Sequence, residues 1–206
     1  KIWAILRKYK IHIRRKAIEP KVSIFPIKLP EPNSTLTKPY KDYLSGRGFD
    51  PEKLEREWGL LQTGPISFLD GISYSHRILA PILWEGEMVS FQARDITDRS
   101  QVKYLACPKR REKIHHKNIL YGNQAAWEKE KGLIIVEGIF DVWRFGSKAL
   151  ATLGIEFKME QVLELLKLNK RFFIIFDEGI QAQKQARELA VKLKALVLHL
   201  PTLQIY

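Results

Sequence analysis

Two pairs of carboxylates each come directly after a continuous apolar run of the sequence. They are Glu137 with Asp141, and Asp177 with Glu178. The apolar runs, 133–136 and 171–176, predict strands buried on both faces, as in a parallel sheet. In open α/β sheets, ligands bind beyond the carboxyl ends of the strands. If the two strands are neighbours, we expect three or four carboxylates to converge there.

Carboxylates packed together repel one another, and a bound divalent cation removes the repulsion. Mg²⁺ takes oxygen ligands, often one or two carboxylates together with waters and substrate phosphates. Such a cation can activate a hydroxyl group and stabilise a leaving pyrophosphate. The alternative is that Glu137 and Asp177 cap helix N-termini, where a negative charge is favourable without metal. Two clusters on two buried strands favour the metal site, with Mg²⁺ or Mn²⁺ as the ion.

The elements that must position these side chains alternate between strand and helix. Apolar strands are expected at 133–136, 149–153, 171–176 and 195–200, with helical stretches between them. This alternation is typical of βαβ units and predicts an α/β fold, with a mostly parallel sheet flanked by helices. Residues 66–105 instead show short strands separated by hairpin-like turns. A smaller α+β unit is therefore expected ahead of the parallel sheet.

The same pattern divides the chain into three segments. Residues 1–39 are expected to be a basic segment followed by a proline-rich linker, since five of the ten prolines lie in 20–39. Residues 40–125 form the basic α+β subdomain, and residues 126–206 form the α/β domain. Within the subdomain, Asp50 followed by Pro51 predicts a helix N-terminus with Asp50 as its N-cap.

Net charge, cysteine content and the length of the apolar runs limit the kinds of protein that this chain could be. The chain has 35 Lys and Arg against 23 Asp and Glu, a formal net charge of +12. This excess favours a polyanionic partner, although a basic protein that is merely soluble fits equally well. Cys107 is the only cysteine, so we expect a reducing, cytoplasmic compartment and no cysteine-rich zinc site. No apolar run approaches the roughly 20 residues of a membrane helix.

The acidic segments carry a family resemblance. Leu133-Ile-Ile-Val-Glu-Gly-Ile-Phe-Asp141, followed by Ile174-Ile-Phe-Asp177, resembles the Toprim domain of DnaG-type and phage primases. Weaker landmarks precede it in the order found in the basic subdomain of those primases. They are Tyr43–Phe49, Arg77–Ile82, Phe91–Arg94, Lys103–Leu105 and Leu120–Gly122. The resemblance covers roughly residues 40–200 and depends on the order and spacing of the motifs together.

The resemblance implies roles for particular residues. Glu137, Asp141 and Asp177 would be catalytic metal ligands, and Glu178 is a further candidate ligand. Contacts with template and nucleotide phosphates are implied for Arg77, Arg94, Lys103, Lys109, Arg110, Arg111 and Lys117. Other interpretations stay open at this point. Arg77 could be a surface charge, Arg94 could pair with Asp95 or Asp98, and residues 109–113 could be a solvated loop.

Three features depart from the family pattern. The usual Asp-x-Asp reads Asp177-Glu-Gly179, so only Glu178 can replace the second aspartate. Residues 200–206 lack the acidic segment that follows in primases. The zinc-binding module that often precedes the primase core is also expected to be absent. The adjacent pair His115-His116 lies near Cys107, but neighbouring residues on a strand point to opposite faces. No zinc site is therefore expected within this chain.

The resemblance implies a DNA primase catalytic core that makes RNA primers on a single-stranded DNA template during replication. NTPs would be its substrates and a replicative helicase a further partner, without membrane association. It would act at the replication fork in the cytoplasm, as a cellular or a phage protein. Two alternatives remain open. One is a non-catalytic nucleic-acid-binding replication module with a degenerate Toprim domain, and the other is a Toprim nuclease.

Overall fold

The computed structural model describes residues 26–97, 99–194 and 196–197. The expectations for the basic segment 1–25, for Asp98 and for the C-terminal residues 198–206 lie outside the described residues. Within the described ranges the chain forms two β-sheets and six α-helices. It is therefore a mixed α/β protein.

The first sheet is antiparallel throughout. In chain order, its half of the protein contains β1 (Glu31–Ser34), α1 (Lys38–Ser45), α2 (Pro51–Trp58), β2 (Leu61–Leu69), β3 (Ile72–Ser73), β4 (Arg77–Trp84), β5 (Glu87–Asp95) and β6 (Tyr104–Ala106). The strand order is β1-β2-β4-β5-β6, and β3 pairs with β2.

Two local signals in this half act as the sequence predicts. The Asp50 carboxylate accepts a hydrogen bond from the amide of Lys53 at 3.0 Å, so Asp50 is the N-cap of α2, with Pro51 in its first turn. The turn between β4 and β5 is Glu85-Gly86, and both residues have positive φ, 52° and 82°. Two such residues suit the tight hairpin turn that was predicted between these strands.

The structure corrects the expected linker. Glu31–Ser34 pairs with β2 as an edge strand of the first sheet, and Leu36 is buried in the core beyond it. A proline is tolerated on an edge strand, where its missing N–H is not needed. Residues 31–34 therefore form a strand, although their proline-rich surroundings predicted a linker.

The second sheet holds the acidic segments. Its half contains β7 (Tyr121–Gly122), α3 (Gln124–Trp127), β8 (Gly132–Val136), α4 (Ile139–Phe145), β9 (Ala149–Ala151), α5 (Met159–Leu168), β10 (Arg171–Ile174), α6 (Ile180–Leu193) and β11 (Leu196–Val197). The order is β11-β10-β8-β9-β7. Three of these pairings are parallel, and only β7 with β9 is antiparallel.

The two halves share a hydrophobic core. One buried cluster contains Leu44, Ile78 and Ile82 from the first half together with Val136 and Ile139 from the second. In addition β7, which precedes the expected boundary at 125/126, belongs to the second sheet. The subdomains are therefore packed and paired across that boundary. Among the described residues, none of the helices has the length and apolar character to cross a membrane.

Candidate active site

The acidic ends of β8 and β10 lie side by side. These strands pair in parallel with Ile135 opposite Ile174, and the amide of Ile175 continues the ladder to the carbonyl of Ile135 at 2.9 Å. Just beyond, the Glu137 carboxylate accepts a hydrogen bond from the amide of Asp177, with Oε1 2.8 Å from N. The two apolar runs therefore form neighbouring parallel strands, as the predicted site requires.

Burial and neighbouring negative charge raise the pKa values of Glu137 and Asp141 at these strand ends. Burial raises the pKa of Glu137, and the negative charges of Asp177 and Asp141 raise it further. The pKa of Asp141 is raised by burial and then by Asp177. The side chains thus share a negative electrostatic environment of the kind that a divalent cation neutralises.

Helix capping explains only one of the acidic residues. The N-caps of α4 and α6 are Gly138 and Gly179, and neither Glu137 nor Asp177 caps a helix with its side chain. Asp141, in the first turn of α4, does accept from the Gly138 amide at 3.2 Å. The capping alternative for Glu137 and Asp177 is therefore not what the structure contains.

The carboxylates do not converge as closely as the sequence predicted. Within the described part of the chain, these acidic side chains do not form a set of three whose ligand atoms lie close enough to hold one ion. The reason is that Glu137 turns to the amide of Asp177 and Asp141 turns to the amide of Gly138. Mg²⁺ needs only one or two carboxylates when waters and phosphates complete its shell. The oxygen donors at these strand ends fit such an ion.

Asp177 and Glu178 lie on an exposed loop that leads into α6. The side chain of Gln183 in α6 donates to the carbonyls of Phe176 and Asp177 at 3.1 Å and 2.9 Å, which fixes the loop against the helix. Gly179 follows with φ −57°, and nothing lies within 4 Å of the position that a Cβ would take there. The missing second aspartate therefore leaves open space beside Asp177.

Lys117 is a predicted phosphate contact whose charge acts on Glu137. Its Nζ lies 3.4 Å from the carbonyl of Glu156 and would be 2.5 Å from a Cβ placed on Gly154. The amide of Gly154 donates to the Glu137 carbonyl at 2.8 Å. The Lys117 charge lowers the pKa of Glu137, which opposes the effect of burial. A cation is thus held beside the acidic strand ends, where a phosphate could reach it.

Arg94 belongs to a basic and aromatic cluster between the two halves. Its Nε donates to the hydroxyl of Tyr43 at 3.0 Å, and its guanidinium stacks over the ring of Tyr104 at 4.8 Å. Phe140, beside Asp141, lies 5.8 Å from both Arg94 and Arg47. Sequence analysis included Tyr43, Arg47 and Phe140 in its motifs but assigned no role to them, although Phe140 directly precedes the predicted ligand Asp141.

Arg77 does not lie where the predicted nucleic-acid contact requires it. It is only 4% exposed. Its guanidinium donates to the carbonyls of Ala93, Val102 and Lys103 and to the hydroxyl of Ser100, over 2.9–3.2 Å. The alternative of a surface charge is equally excluded. Arg77 fastens the segment before β6 to the first sheet.

The other basic residues differ in how their charges are used. Arg110 and Arg111 both bind Asp70, at 2.9 Å and 2.6 Å, and they hold its pKa well below the usual range. Lys103 and Lys109 are exposed on the surface. These two lysines are therefore accessible to a phosphate, whereas the buried Arg77 is not.

The histidine pair does not lie on a strand. His115 precedes a 3₁₀ turn, His116–Asn118, and accepts at Nδ1 from the amide of Lys117 at 3.1 Å. The two rings lie 4.8 Å apart, and both are close to the carboxylate of Glu112. The argument that excluded a metal site at this pair assumed a strand, so it does not hold.

The fold is mixed α/β, and the acidic site lies at the ends of two parallel strands, beside the antiparallel sheet of the first half. Solved structures share this fold. The zinc-binding and RNA polymerase domains of the Aquifex aeolicus primase match 80% of the chain at 22% identity, with a TM-score of 0.66. A DnaG primase catalytic domain bound to single-stranded DNA matches 81% at 18% identity and a TM-score of 0.68.

A DNA primase domain from Pseudomonas aeruginosa matches 76% of the chain at 24% identity, with a TM-score of 0.62. The chain spans 50%, 65% and 59% of these three structures, respectively. No protein-family model and no curated protein matches the sequence. The chain has the fold of the DnaG primase catalytic core.

Proposed function

We propose that this chain is the catalytic core of a DNA primase, which makes RNA primers on single-stranded DNA in a metal-dependent reaction during replication. Residues 126–206 would be its Toprim domain and residues 40–125 its basic subdomain. The observation that carries the proposal is the hydrogen bond between Glu137 and the amide of Asp177, which brings the acidic ends of two parallel strands together. A replicative helicase and a place at the cytoplasmic replication fork belong to the same proposal.

Each acidic residue has a role in this proposal. Glu137, Asp141 and Asp177 would hold Mg²⁺ or Mn²⁺, with Glu178 as a further oxygen donor. When bound, the ion supplies activation of the primer 3′-hydroxyl and neutralises the leaving pyrophosphate. Lys117, beside the Glu137 loop, would bind a phosphate of the incoming nucleotide. Catalysis would come from positioning and charge neutralisation.

The template would lie along the first half, where exposed lysines could contact its phosphates. Lys103 and Lys109 are exposed and available to phosphate, and Arg110 and Arg111 lie next to Lys109. Arg94, stacked on Tyr104 near Asp141, would face the nucleotide. The net charge of +12 supports a polyanionic partner. Arg77 is left out because it is buried and both of its terminal nitrogens donate within the chain.

A second candidate is a nucleic-acid-binding module without catalysis. Gly179 stands where primases have an aspartate, and the three acidic side chains do not form a closed set in the described structure. A protein of this kind would bind single-stranded DNA but not Mn²⁺ at the strand ends. Calorimetric titration with Mn²⁺ separates the two candidates.

The test is primer synthesis with template, NTPs and Mg²⁺ or Mn²⁺. Glu137→Gln retains an oxygen to accept from the Asp177 amide but removes the charge, so synthesis should fall at least about 100-fold. The matched control is Glu128→Gln, at an exposed glutamate that ends α3, and it should retain full activity. Full activity in Glu137→Gln would contradict the proposal. Degradation of single strands without NTPs would identify a nuclease instead.

A further inference from the structure

A cluster of one carboxylate and two imidazoles lies outside the acidic strand ends. Glu112 Oε1 is 2.5 Å from His116 Nδ1, and Glu112 Oε2 is 3.6 Å from His115 Nδ1. One ligand atom from each residue lies within 4.8 Å of the other two. In the described part of the chain, no other group of three His, Cys, Asp or Glu side chains is this compact.

Local structure holds the cluster in place. Glu112 directly precedes Lys113, whose amide donates to the carbonyl of Val89 in β5 at 3.0 Å. The hydroxyl of Ser90 donates to Glu112 Oε1 at 2.7 Å, and the amide of His116 lies 3.3 Å from the same oxygen. The carboxylate is therefore oriented by β5 on one side and by the 3₁₀ turn on the other.

Burial and exposure suit an ion that enters from solvent. The Glu112 side chain is 2% exposed, whereas those of His115 and His116 are 28% and 13% exposed. A buried carboxylate is costly unless it is paired, and the imidazoles lie between it and the solvent. A neutral imidazole is the form that binds metal.

The donor set selects the type of ion. Two imidazoles and one carboxylate are the three protein ligands of many zinc sites that leave a fourth position open. Imidazole donors suit Zn²⁺, Co²⁺ and Ni²⁺, whereas Mg²⁺ prefers sites of oxygen alone. For tetrahedral Zn²⁺, with bonds of about 2.0–2.1 Å, ligand atoms lie roughly 3.3 Å apart. The 3.6 Å between His115 Nδ1 and Glu112 Oε2 is close to this value, and an ion at that nitrogen would replace the hydrogen bond that it accepts from the Lys117 amide. The 2.5 Å contact between His116 Nδ1 and Glu112 Oε1 has to open by less than about 1 Å.

We propose that Glu112, His115 and His116 bind one divalent transition-metal ion of the Zn²⁺ type, at a site separate from the carboxylates of the strand ends. The ion would also have a structural consequence. Lys117 is the residue after His116 and lies beside the Glu137 loop. Metal at His115 and His116 would replace the hydrogen bond from the Lys117 amide to His115 Nδ1, and it would hold the turn before Lys117 through the two imidazoles instead.

The test uses the full chain without an affinity tag, with Zn²⁺ and Co²⁺ as probes. Calorimetry should find one Zn²⁺ site, and bound Co²⁺ should give the strong visible absorption of four-coordinate nitrogen and oxygen ligation. His115→Gln and Glu112→Gln should each lower the affinity at least about tenfold. His76→Asn, at an exposed histidine with φ 55°, should leave it unchanged. Circular dichroism in EDTA establishes that each variant is folded.

A second control separates this site from the strand ends. The double variant Glu137→Gln, Asp141→Asn should retain the Co²⁺ absorption and the Zn²⁺ site, whatever happens to primer synthesis. If folded His115→Gln and Glu112→Gln both bind Zn²⁺ as the unmodified chain does, the proposed site is wrong and the three residues form only a hydrogen-bonded cluster. The proposal would also be overturned if the double variant lost Zn²⁺ binding while His115→Gln and Glu112→Gln retained it.

Discussion

The Glu137 carboxylate lies 2.8 Å from the backbone nitrogen of Asp177, across the ends of two neighbouring parallel strands. This contact sets the distance between the two acidic segments without using the side chain of Asp177, which stays exposed. A substitution can therefore remove the charge at residue 137 while it retains the link between the strands.

Asp141 should destabilise the metal-free protein at neutral pH. Burial and the charge of Asp177 raise its pKa in the folded state. Stability from such a group is complete below its unfolded pKa and is lost as the pH rises through the folded value. Asp141→Asn, which can still accept from the Gly138 amide, should raise Tm at pH 7. A gain of about 1 kcal/mol corresponds to roughly 2–4 °C.

The pH dependence provides the check on this prediction. Below the usual pKa of an aspartate the two proteins should melt alike, so the difference must appear only as the pH rises. Asp42→Asn, at an exposed aspartate paired with Lys38, is the control and should not raise Tm. Mn²⁺ should raise Tm of the unmodified chain more than that of Asp141→Asn. A lower Tm for Asp141→Asn at pH 7 would contradict this account.

Gly179→Asp should strengthen the metal site. The backbone at Gly179 is ordinary for any residue, and a Cβ there meets nothing within 4 Å. The new side chain adds a carboxylate near Asp177 and an N-cap to α6. We expect the Mn²⁺ affinity measured by calorimetry to increase about tenfold, or about 1.4 kcal/mol.

The control for this change is Gly179→Asn, which adds the N-cap without the charge. Both variants should be slightly more stable than the unmodified chain in EDTA. Only the aspartate should increase Mn²⁺ affinity. Equal affinities for the two variants would mean that residue 179 does not face the ion.

Arg77 should matter for stability rather than for nucleic-acid binding. An ammonium group cannot reach the three carbonyls and one hydroxyl that the guanidinium joins. Arg77→Lys should lower the free energy of unfolding in urea by about 2–3 kcal/mol. Arg99→Lys, at an exposed arginine nearby, should have little effect. If Arg77→Lys weakens DNA binding while stability is unchanged, the structural role is wrong.

Lys103 should contribute one phosphate contact. It is exposed, and its removal should reduce the slope of log K against log salt for single-stranded DNA by about 0.7. The measurement is a fluorescence anisotropy titration at several salt concentrations. Lys192→Ala, at an exposed lysine on α6, is the matched control. An unchanged slope for Lys103→Ala would mean that the single-stranded DNA does not contact Lys103.

Local and periodic features of the fold could be predicted from the sequence. The helical stretches expected between the apolar strands include α5 and α6, because helix-forming residues with periodic apolar positions fill both segments. The apolar run 133–136 became a buried parallel strand. The acidic strand ends followed from these elements, since parallel neighbours place their carboxyl ends together.

What could not be predicted depends on long-range contacts. Arg77 is fixed by carbonyls up to 26 residues away in sequence, and no local pattern distinguishes it from a surface arginine. The histidine pair was placed on a strand, whereas a 3₁₀ turn brings both rings to Glu112. The orientation of Asp141 toward the Gly138 amide likewise depends on how α4 begins.

The position of β7 has a consequence for how the protein can be divided. Tyr121 and Gly122 cover one edge of the short strand Ala149–Ala151. A fragment beginning at residue 126 would leave that edge exposed, and an uncovered apolar strand is a template for self-association. A fragment of the acidic half should therefore begin before residue 121. Cleavage at 125/126 would separate β7 from the strand β9 with which it pairs.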